Sequence, residues 1–161
     1  MLPKSLLPIL LFCLINQLDA STIEIFVQNG RLIGEKYSVL DQNVVRFLGV
    51  PYAQPPVGPL RFRRPVPFTK FAEPVRALEW PDNCIQKLVF LNRFVNKNMS
   101  EDCLYLNIWT PGVNAEEHSL RPVLFWIHGG GFHFGSSSFD LYNGEVLSIL
   151  SNAVVVTINY R

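Results

Sequence analysis

The sequence of 161 residues carries little excess charge of either sign. Its 14 basic and 13 acidic side chains leave a formal net charge of +1, so it lacks the concentrated positive charge of proteins that bind a nucleic-acid backbone. Hydrophobic residues make up 48% of the chain and charged residues only 17%, which excludes an intrinsically disordered chain. We therefore expect one folded unit that has no nucleic-acid partner.

The sequence is also poor in side chains that hold metal ions. It has three cysteines and three histidines, and His128 and His133 lie five positions apart with no carboxylate in register. A zinc centre needs three or four ligands at suitable spacing, so no metal site is predicted. The one glycine-rich segment lacks the spacing of a phosphate-binding loop, so no cofactor is expected either.

Long hydrophobic runs are absent after the N-terminus. The apolar run at residues 6–15 is too short to cross a bilayer, which takes about 20 apolar residues. Lys4 precedes this run and Asp19-Ala20 follows it, an order typical of a secretory signal peptide. We predict that residues 1–20 are a signal peptide cleaved after Ala20 and that residues 21–161 are secreted, the alternative being a membrane anchor.

Cleavage would leave two cysteines, Cys84 and Cys103, in an oxidising compartment. An even number of cysteines there favours a disulfide between the two, and the alternative is a pair of free or metal-binding thiols. Asn98-Met99-Ser100 lies between them and is the single N-x-S/T sequon of the chain. It predicts a glycan on Asn98 in an exposed loop.

The first part of the mature chain has the pattern of β-strands followed by a proline-rich segment. Residues 22–27, 31–39 and 44–50 are predicted strands, and Asn29-Gly30 indicates a hairpin between the first two. Residues 51–81 contain eight prolines with aromatic and aliphatic side chains between them. Prolines forbid long regular elements, so we expect an ordered segment wrapped over the surface.

The second part of the chain has the pattern of a βαβ unit. Residues 104–109, 123–127 and 153–158 are compact apolar runs, typical of strands covered on both faces in an α/β sheet. Residues 140–150 are predicted to form a short helix with four side chains facing inward. The four inward-facing residues are Leu141, Val146, Leu147 and Leu150.

The sequence stops directly after the last strand, so we expect the N-terminal part of a larger protein.

A glycine triplet directly follows the strand predicted at residues 123–127. It stands in His128-Gly129-Gly130-Gly131-Phe132, and glycines without a Cβ let backbone NH groups approach a substrate oxygen closely. NH donors that face a developing negative charge form an oxyanion hole. An HGGG-type loop after a strand is the oxyanion motif of esterases and lipases. The pattern therefore predicts an oxyanion hole, with a flexible turn as the alternative.

Several further stretches agree with the same assignment. They are Gly49-Val50-Pro51-Tyr52-Ala53, Pro55-Pro56-Val57-Gly58, Leu60-Arg61-Phe62, the EDCLYLNIW stretch from Glu101 to Trp109, Gly135, and Asn159-Tyr160-Arg161. With the glycine loop, they make the chain resemble the type-B carboxylesterases, the cholinesterase-like branch of the α/β-hydrolases, over residues 21–161. The resemblance implies an incomplete α/β-hydrolase fold, with hairpin strands, a proline-rich wrap and the start of a central mixed sheet. It also implies a serine hydrolase of small-molecule carboxylic esters.

The resemblance assigns family roles to three pairs of residues. The pairs are Gly130 and Gly131 as oxyanion-hole NH donors, Cys84 and Cys103 as a disulfide, and Arg61 and Glu101 as a structural ion pair. If the ion pair is buried, it is weak evidence for stability, although losing one partner would be costly. From the residues alone, Arg61 and Glu101 would be interpreted as two unrelated surface charges.

The chain lacks the residues that would carry out the chemistry in this family. No Gly-x-Ser-x-Gly occurs between Met1 and Arg161, so the nucleophile, its acid and its histidine are all missing. Residues 1–161 on their own are therefore expected to be inactive, as the N-terminal fragment of a secreted serine carboxylesterase. The alternative is a non-catalytic adhesion protein of the neuroligin or glutactin kind, which the intact glycine loop disfavours.

Substrate preference leaves a faint signal. Cholinesterases carry a tryptophan inside the first disulfide loop, where its ring binds quaternary ammonium by cation–π attraction. This loop contains Phe90 and Phe94, and Trp80 lies just outside it. We therefore expect a broad carboxylesterase or a lipophilic-ester enzyme rather than a choline-specific one.

Overall fold

The computed structural model describes residues 21–87, 98–112 and 120–161. The predicted signal peptide, Phe90, Phe94 and His118 lie outside the described residues. No helix within the described ranges is long and apolar enough to cross a membrane.

Most of the regular secondary structure in the described chain belongs to a mixed β-sheet with one α-helix packed on it. The strand order is β1-β2-β3-β7-β9-β8, with β4 beside β2, while β5 and β6 form a separate parallel pair. All neighbours along the main path are antiparallel except β8 and β9, which are parallel. The α/β class predicted from the sequence is confirmed. The elements are β1 (Ser21–Val27), β2 (Gly30–Val39), β3 (Gln42–Pro51), β4 (Val75–Arg76), β5 (Asn83–Cys84), β6 (Met99–Ser100), β7 (Tyr105–Pro111), β8 (Val123–Ile127), helix α1 (Glu145–Ser151) and β9 (Val154–Ile158).

The predicted hairpin is present between β1 and β2. Val27 pairs with Gly30, so Gly30, with a φ of 139°, is the first residue of the returning strand rather than part of the turn. The Asn29 side chain donates hydrogen bonds to the carbonyl oxygens of Phe68 (2.7 Å) and Thr69 (3.2 Å). This amide therefore ties the proline-rich segment to the hairpin.

Both faces of the sheet are covered around β3. Successive strand residues point to opposite faces, and accordingly Val45 and Phe47 belong to one buried cluster while Val44 and Leu48 belong to another. The second cluster includes Trp109, whose side chain is fully buried. Burying an apolar side chain of this kind stabilises a fold by about 1.5–3 kcal/mol. These clusters fix β7 and β9 in the middle of the molecule.

The predicted helix is shorter than expected and faces the other way. It begins at Glu145, after a separate 3-10 turn at Asp140–Tyr142. The four leucine and valine side chains predicted to face inward are exposed, whereas Ser148 and Ile149 are buried. Gly144 explains this, because a Cβ there would lie 2.7 Å from Trp109 Cε3 and 2.6 Å from Val155 Cγ1. The small residues Gly144 and Ser148 therefore lie on the helix face that meets the sheet. The face predicted from the apolar periodicity was wrong.

Coverage of β8 also differs from the sequence prediction. The side chains of Val123–Ile127 are 41–63% exposed, so the described residues cover this strand poorly. An open apolar groove of about 510 Å³ runs between β8 and α1, with Trp126, Tyr142 and Leu147 among its lining residues. In β9, by contrast, Val155, Val156 and Thr157 are buried. Strands β8 and β9 are nevertheless parallel. The sequence predicted this from a glycine loop and a helix between two apolar runs.

Candidate active site: the glycine loop

The glycine loop begins at the carboxyl end of β8. His128 directly follows Ile127, the last residue of that strand, and Ile127 pairs with Ile158 near the end of the parallel strand β9. In open α/β sheets ligands bind outside the carboxyl ends of the strands. The fold therefore puts the glycines at the edge where such a sheet takes its ligands.

Two of the loop glycines are required by close contacts. Gly130 has a φ of 128°, and a Cβ there would overlap the Phe134 carbonyl oxygen. Gly135 has a φ of 132°, and a Cβ there would overlap the ring of His128. Gly131 differs, because its φ of 59° favours glycine although the nearest atom to a Cβ, on His133, is 3.9 Å away. The loop thus folds back on itself and leaves open space beside Gly131.

The turn in the loop backbone is closed by hydrogen bonds that do not involve the NH groups of Gly130 and Gly131. The Gly130 carbonyl oxygen accepts hydrogen bonds from the NH groups of His133 (3.0 Å) and Phe134 (3.3 Å). The NH groups of Gly130 and Gly131 donate to no other group within residues 21–87, 98–112 and 120–161. Two adjacent unused donors are what an oxyanion requires.

His128 shapes the start of the loop. Its Nδ1 lies 2.9 Å from the Gly129 carbonyl oxygen, and its ring stacks on Tyr160 at a centroid distance of 4.5 Å. The Tyr160 hydroxyl donates to the His128 carbonyl oxygen at 2.7 Å. Burial lowers the pKa of the imidazole below its ordinary value, although the contact with Gly129 opposes this. His128 therefore serves the loop backbone.

Gln86 holds the other end of the loop, which sequence reasoning missed. Its Oε1 accepts a hydrogen bond from the Gly135 NH (2.7 Å), and its Nε2 donates to the Gly135 carbonyl (2.8 Å) and the Cys84 carbonyl (3.1 Å). Gln86 and Gly135 are 49 positions apart. No spacing in the sequence signals such a contact, because it depends on the tertiary path of the chain.

A buried polar network anchors the serines that follow Gly135. Asn107 Nδ2 donates to Ser137 Oγ (3.2 Å) and Thr157 Oγ1 (3.1 Å), and Asn159 Oδ1 accepts from the Ser137 NH (2.8 Å). All four residues are at most 1% exposed. Buried polar groups that lose a partner cost about 1–3 kcal/mol. The serine-rich stretch is thus a rigid support between the loop and strands β7 and β9.

The structure joins Cys84 and Cys103 in a disulfide with a Cα–Cα distance of 5.0 Å. Cys84 is the last residue of β5, and β5 pairs with β6, which lies near the other end of the loop that the disulfide closes. Asn98 precedes β6 and is exposed, with its carbonyl oxygen accepting from the Asn83 NH at 3.1 Å. The predicted glycan site therefore lies on an accessible part of the disulfide loop.

Arg61 and Glu101 also come together. Arg61 Nη2 lies 2.6 Å from Glu101 Oε2, and the side chains are 53% and 36% exposed. The hydrogen bond to Glu101 raises the pKa of the guanidinium. Both side chains are partly exposed to solvent, which screens their charges, so this pair contributes little to stability.

Trp80 packs against the buried core of the sheet. Its ring contacts the fully buried ring of Trp109 at a centroid distance of 5.8 Å, and it packs against the cluster around Val44 and Leu48. This tryptophan therefore contributes packing. Within the described residues, no group of three or more histidine, cysteine, aspartate and glutamate side chains is arranged to hold a metal ion.

Comparison with known proteins gives a consistent result. The sequence profile of the carboxylesterase family matches residues 21–161. Acetylcholinesterase-1 of Trittame loki is 37% identical over 100% of this chain and 31% of its own length. The cholinesterase of Mus musculus is 39% identical over 85% of this chain and 24% of its own length, so the chain spans a third or less of these relatives. With the parallel strand pair and the glycine loop at its carboxyl edge, the family match over all the described ranges shows that the chain belongs to the carboxylesterase family.

Proposed function

We propose that this chain forms the oxyanion-stabilising part of the active site of a serine ester hydrolase whose substrates are small-molecule carboxylic esters. One observation carries the proposal: Gly130 and Gly131 present adjacent NH groups, which donate to no described residue, at the carboxyl end of β8. The names of the relatives, acetylcholinesterase and cholinesterase, support ester substrates as a class. The absence of a tryptophan from the disulfide loop favours a broad or lipophilic ester over a choline ester.

The chemistry assigned to the loop is charge stabilisation. A serine hydroxyl gives its proton to a base as its oxygen bonds to the ester carbonyl carbon, and the carbonyl oxygen takes up the negative charge of the tetrahedral intermediate. The NH groups of Gly130 and Gly131 donate hydrogen bonds to that oxygen. Collapse breaks the bond to the alcohol, which takes a proton and leaves, and water then releases the acid from the serine. Loss of one such donor costs roughly 10²–10³ in kcat.

The nucleophile, acid and base are not among residues 1–161. The proposal therefore assigns them to a longer chain that carries these residues, and residues 1–161 on their own are inactive. We also propose that residues 1–20 direct secretion and that Asn98, which is exposed, carries a glycan. Mass spectrometry of protein secreted by eukaryotic cells is then expected to find Ser21 at the N-terminus and sugar on Asn98; an intact N-terminus and a bare Asn98 would contradict these assignments.

The function is tested by comparing the complete protein with residues 21–161 expressed separately. We expect the complete protein to hydrolyse p-nitrophenyl acetate and to be inactivated by a serine-directed organophosphate, because it supplies the serine that this chain lacks. The shorter chain is expected to do neither. A complete protein without esterase activity or organophosphate labelling would contradict the proposed function.

A further inference from the structure

We propose that Gln86 is a positioning residue for the oxyanion loop: its amide clamps Gly135 to the disulfide-bonded segment and so fixes where the Gly130 and Gly131 NH groups lie. The proposal rests on the proposed function, since it assigns the clamp a role in ester hydrolysis. Gln86 is outside the glycine motif and hydrogen-bonds to Cys84 and Gly135 rather than to Gly130 or Gly131. Its effect must therefore pass through the loop backbone.

The clamp satisfies both backbone groups of one residue. Gln86 accepts from the Gly135 NH at 2.7 Å and donates to the Gly135 carbonyl at 2.8 Å. An amide side chain that pairs with both the NH and the carbonyl group of one residue fixes the distance and the orientation of that residue's backbone. Within the described ranges, no other side chain hydrogen-bonds to Gly135.

The clamp is attached to a fixed part of the molecule. The same Nε2 donates to the Cys84 carbonyl at 3.1 Å, and Cys84 is bonded to Cys103, which is 2% exposed. Cys84 also pairs with Ser100 in the two-stranded β5–β6 unit. The disulfide and this strand pairing fix the position of Cys84, two residues before Gln86. The Gln86 side chain therefore connects the glycine loop to a constrained part of the backbone.

Gly135 passes its position on to the oxyanion donors. It lies so close to the His128 ring and the Gly129 carbonyl that a Cβ at Gly135 would overlap both. A Cβ at Gly130 would likewise overlap the carbonyl oxygen of Phe134, the residue before Gly135, and the Phe134 NH donates to the Gly130 carbonyl at 3.3 Å. A shift of Gly135 therefore pushes directly on the glycines, and a misplacement of about 1 Å in a catalytic group can cost roughly 100-fold in rate.

The test replaces Gln86 with leucine in the complete protein and uses Asn29→Leu as the matched control. Asn29 is also a side-chain amide that ties two distant backbone groups together, Phe68 and Thr69, but it does so at the β1–β2 hairpin. We expect Gln86→Leu to lower kcat for p-nitrophenyl acetate about 10- to 100-fold with KM within about threefold of wild type. We expect Asn29→Leu to leave kcat within about twofold. Active sites are counted by organophosphate titration, so loss of folded protein does not register as loss of kcat.

A second variant keeps the test decisive if the leucine variant does not fold. Gln86→Met has nearly the reach of glutamine and lacks both the donor and the acceptor, and the same fall in kcat is expected. Wild-type kcat per active site in the Gln86 variants, or an equal fall in kcat in Asn29→Leu, would overturn the proposal.

Hydrogen exchange separates failure of the clamp from failure of the proposed function. If the complete wild-type protein does not hydrolyse esters, the proposed function is wrong, and the clamp is then judged by deuterium uptake in peptides covering residues 128–135. Faster uptake in the Gln86 variants than in wild type and Asn29→Leu is expected. Equal uptake in all of them would overturn the clamp as well.

Discussion

At the scale of single residues, His128 combines burial with a titratable ring. Its imidazole is stacked on Tyr160 and buried beneath the loop, and desolvation lowers its pKa. The neutral ring is thus favoured in the folded protein, whereas the unfolded chain binds a proton near the ordinary value of about 6.5. Since the unfolded state then holds more protons, the stability contributed by neutral His128 is lost as the pH falls below that value.

We expect His128→Asn to weaken the pH dependence of stability in the complete protein. Wild type should lose melting temperature between about pH 7.5 and about pH 5.5, and the variant should lose less, because asparagine has no proton to gain. His133→Asn is the control, since it removes an exposed histidine from the same loop. Differential scanning fluorimetry at several pH values measures all three proteins. A variant whose melting temperature falls as steeply as that of wild type would contradict the assignment.

Residues differ in how far the sequence predicts them. A glycine triplet after an apolar strand is a local pattern with a steric reason, and it predicted an oxyanion loop. The family resemblance then assigned the donor role to Gly130 and Gly131. Gln86 and Asn107 were not predicted, since each contacts partners 30 or more positions away. Nothing in the sequence distinguishes these two side-chain amides from amides that are exposed on a protein surface. A local motif thus locates the loop, whereas the contacts that hold the loop depend on the tertiary fold.

At the scale of elements, the strands were predicted better than the helix. Alternating or continuous apolar runs bounded by glycine and proline located β1, β2, β3, β7, β8 and β9, because burial in a sheet imposes that pattern. Helix α1 has only seven residues, too few for periodicity to fix a face. Its orientation depends on Gly144, which lets the first turn lie against Trp109 and Val155.

We expect Gly144→Ala to destabilise the complete protein by about 1–3 kcal/mol, the usual cost of overpacking a core. The new Cβ would meet Trp109 and Val155 at 2.6–2.7 Å, and neither a buried indole nor a strand residue can move freely. Gly112→Ala is the control, because its Cβ would meet Asn43 at 3.6 Å, an ordinary contact. Urea denaturation measures both. Equal stability of the two variants would show that the helix does not need this close approach.

At the scale of the whole molecule, the sheet carries the glycine loop at the carboxyl end of β8. The fold class was predictable because α/β patterning and the family motifs extend through residues 21–161. Coverage of β8 was not, because an apolar run looks the same whether or not the described residues pack on it. The chain spans 24–31% of the relatives compared with it, and the contribution to catalysis that we propose for it is the glycine loop.

The most direct test of that contribution compares Gly131→Ala with Gly58→Ala in the complete protein. Both glycines have a left-handed φ, 59° and 53°, and both have open space around a new Cβ, so each alanine incurs a similar backbone strain of about 1–2 kcal/mol. Only the Cβ at position 131 would crowd the substrate oxygen. We expect kcat for p-nitrophenyl acetate to fall about 100-fold in Gly131→Ala and to stay within about twofold of wild type in Gly58→Ala. Equal kcat values in the two variants would contradict an oxyanion hole in this loop.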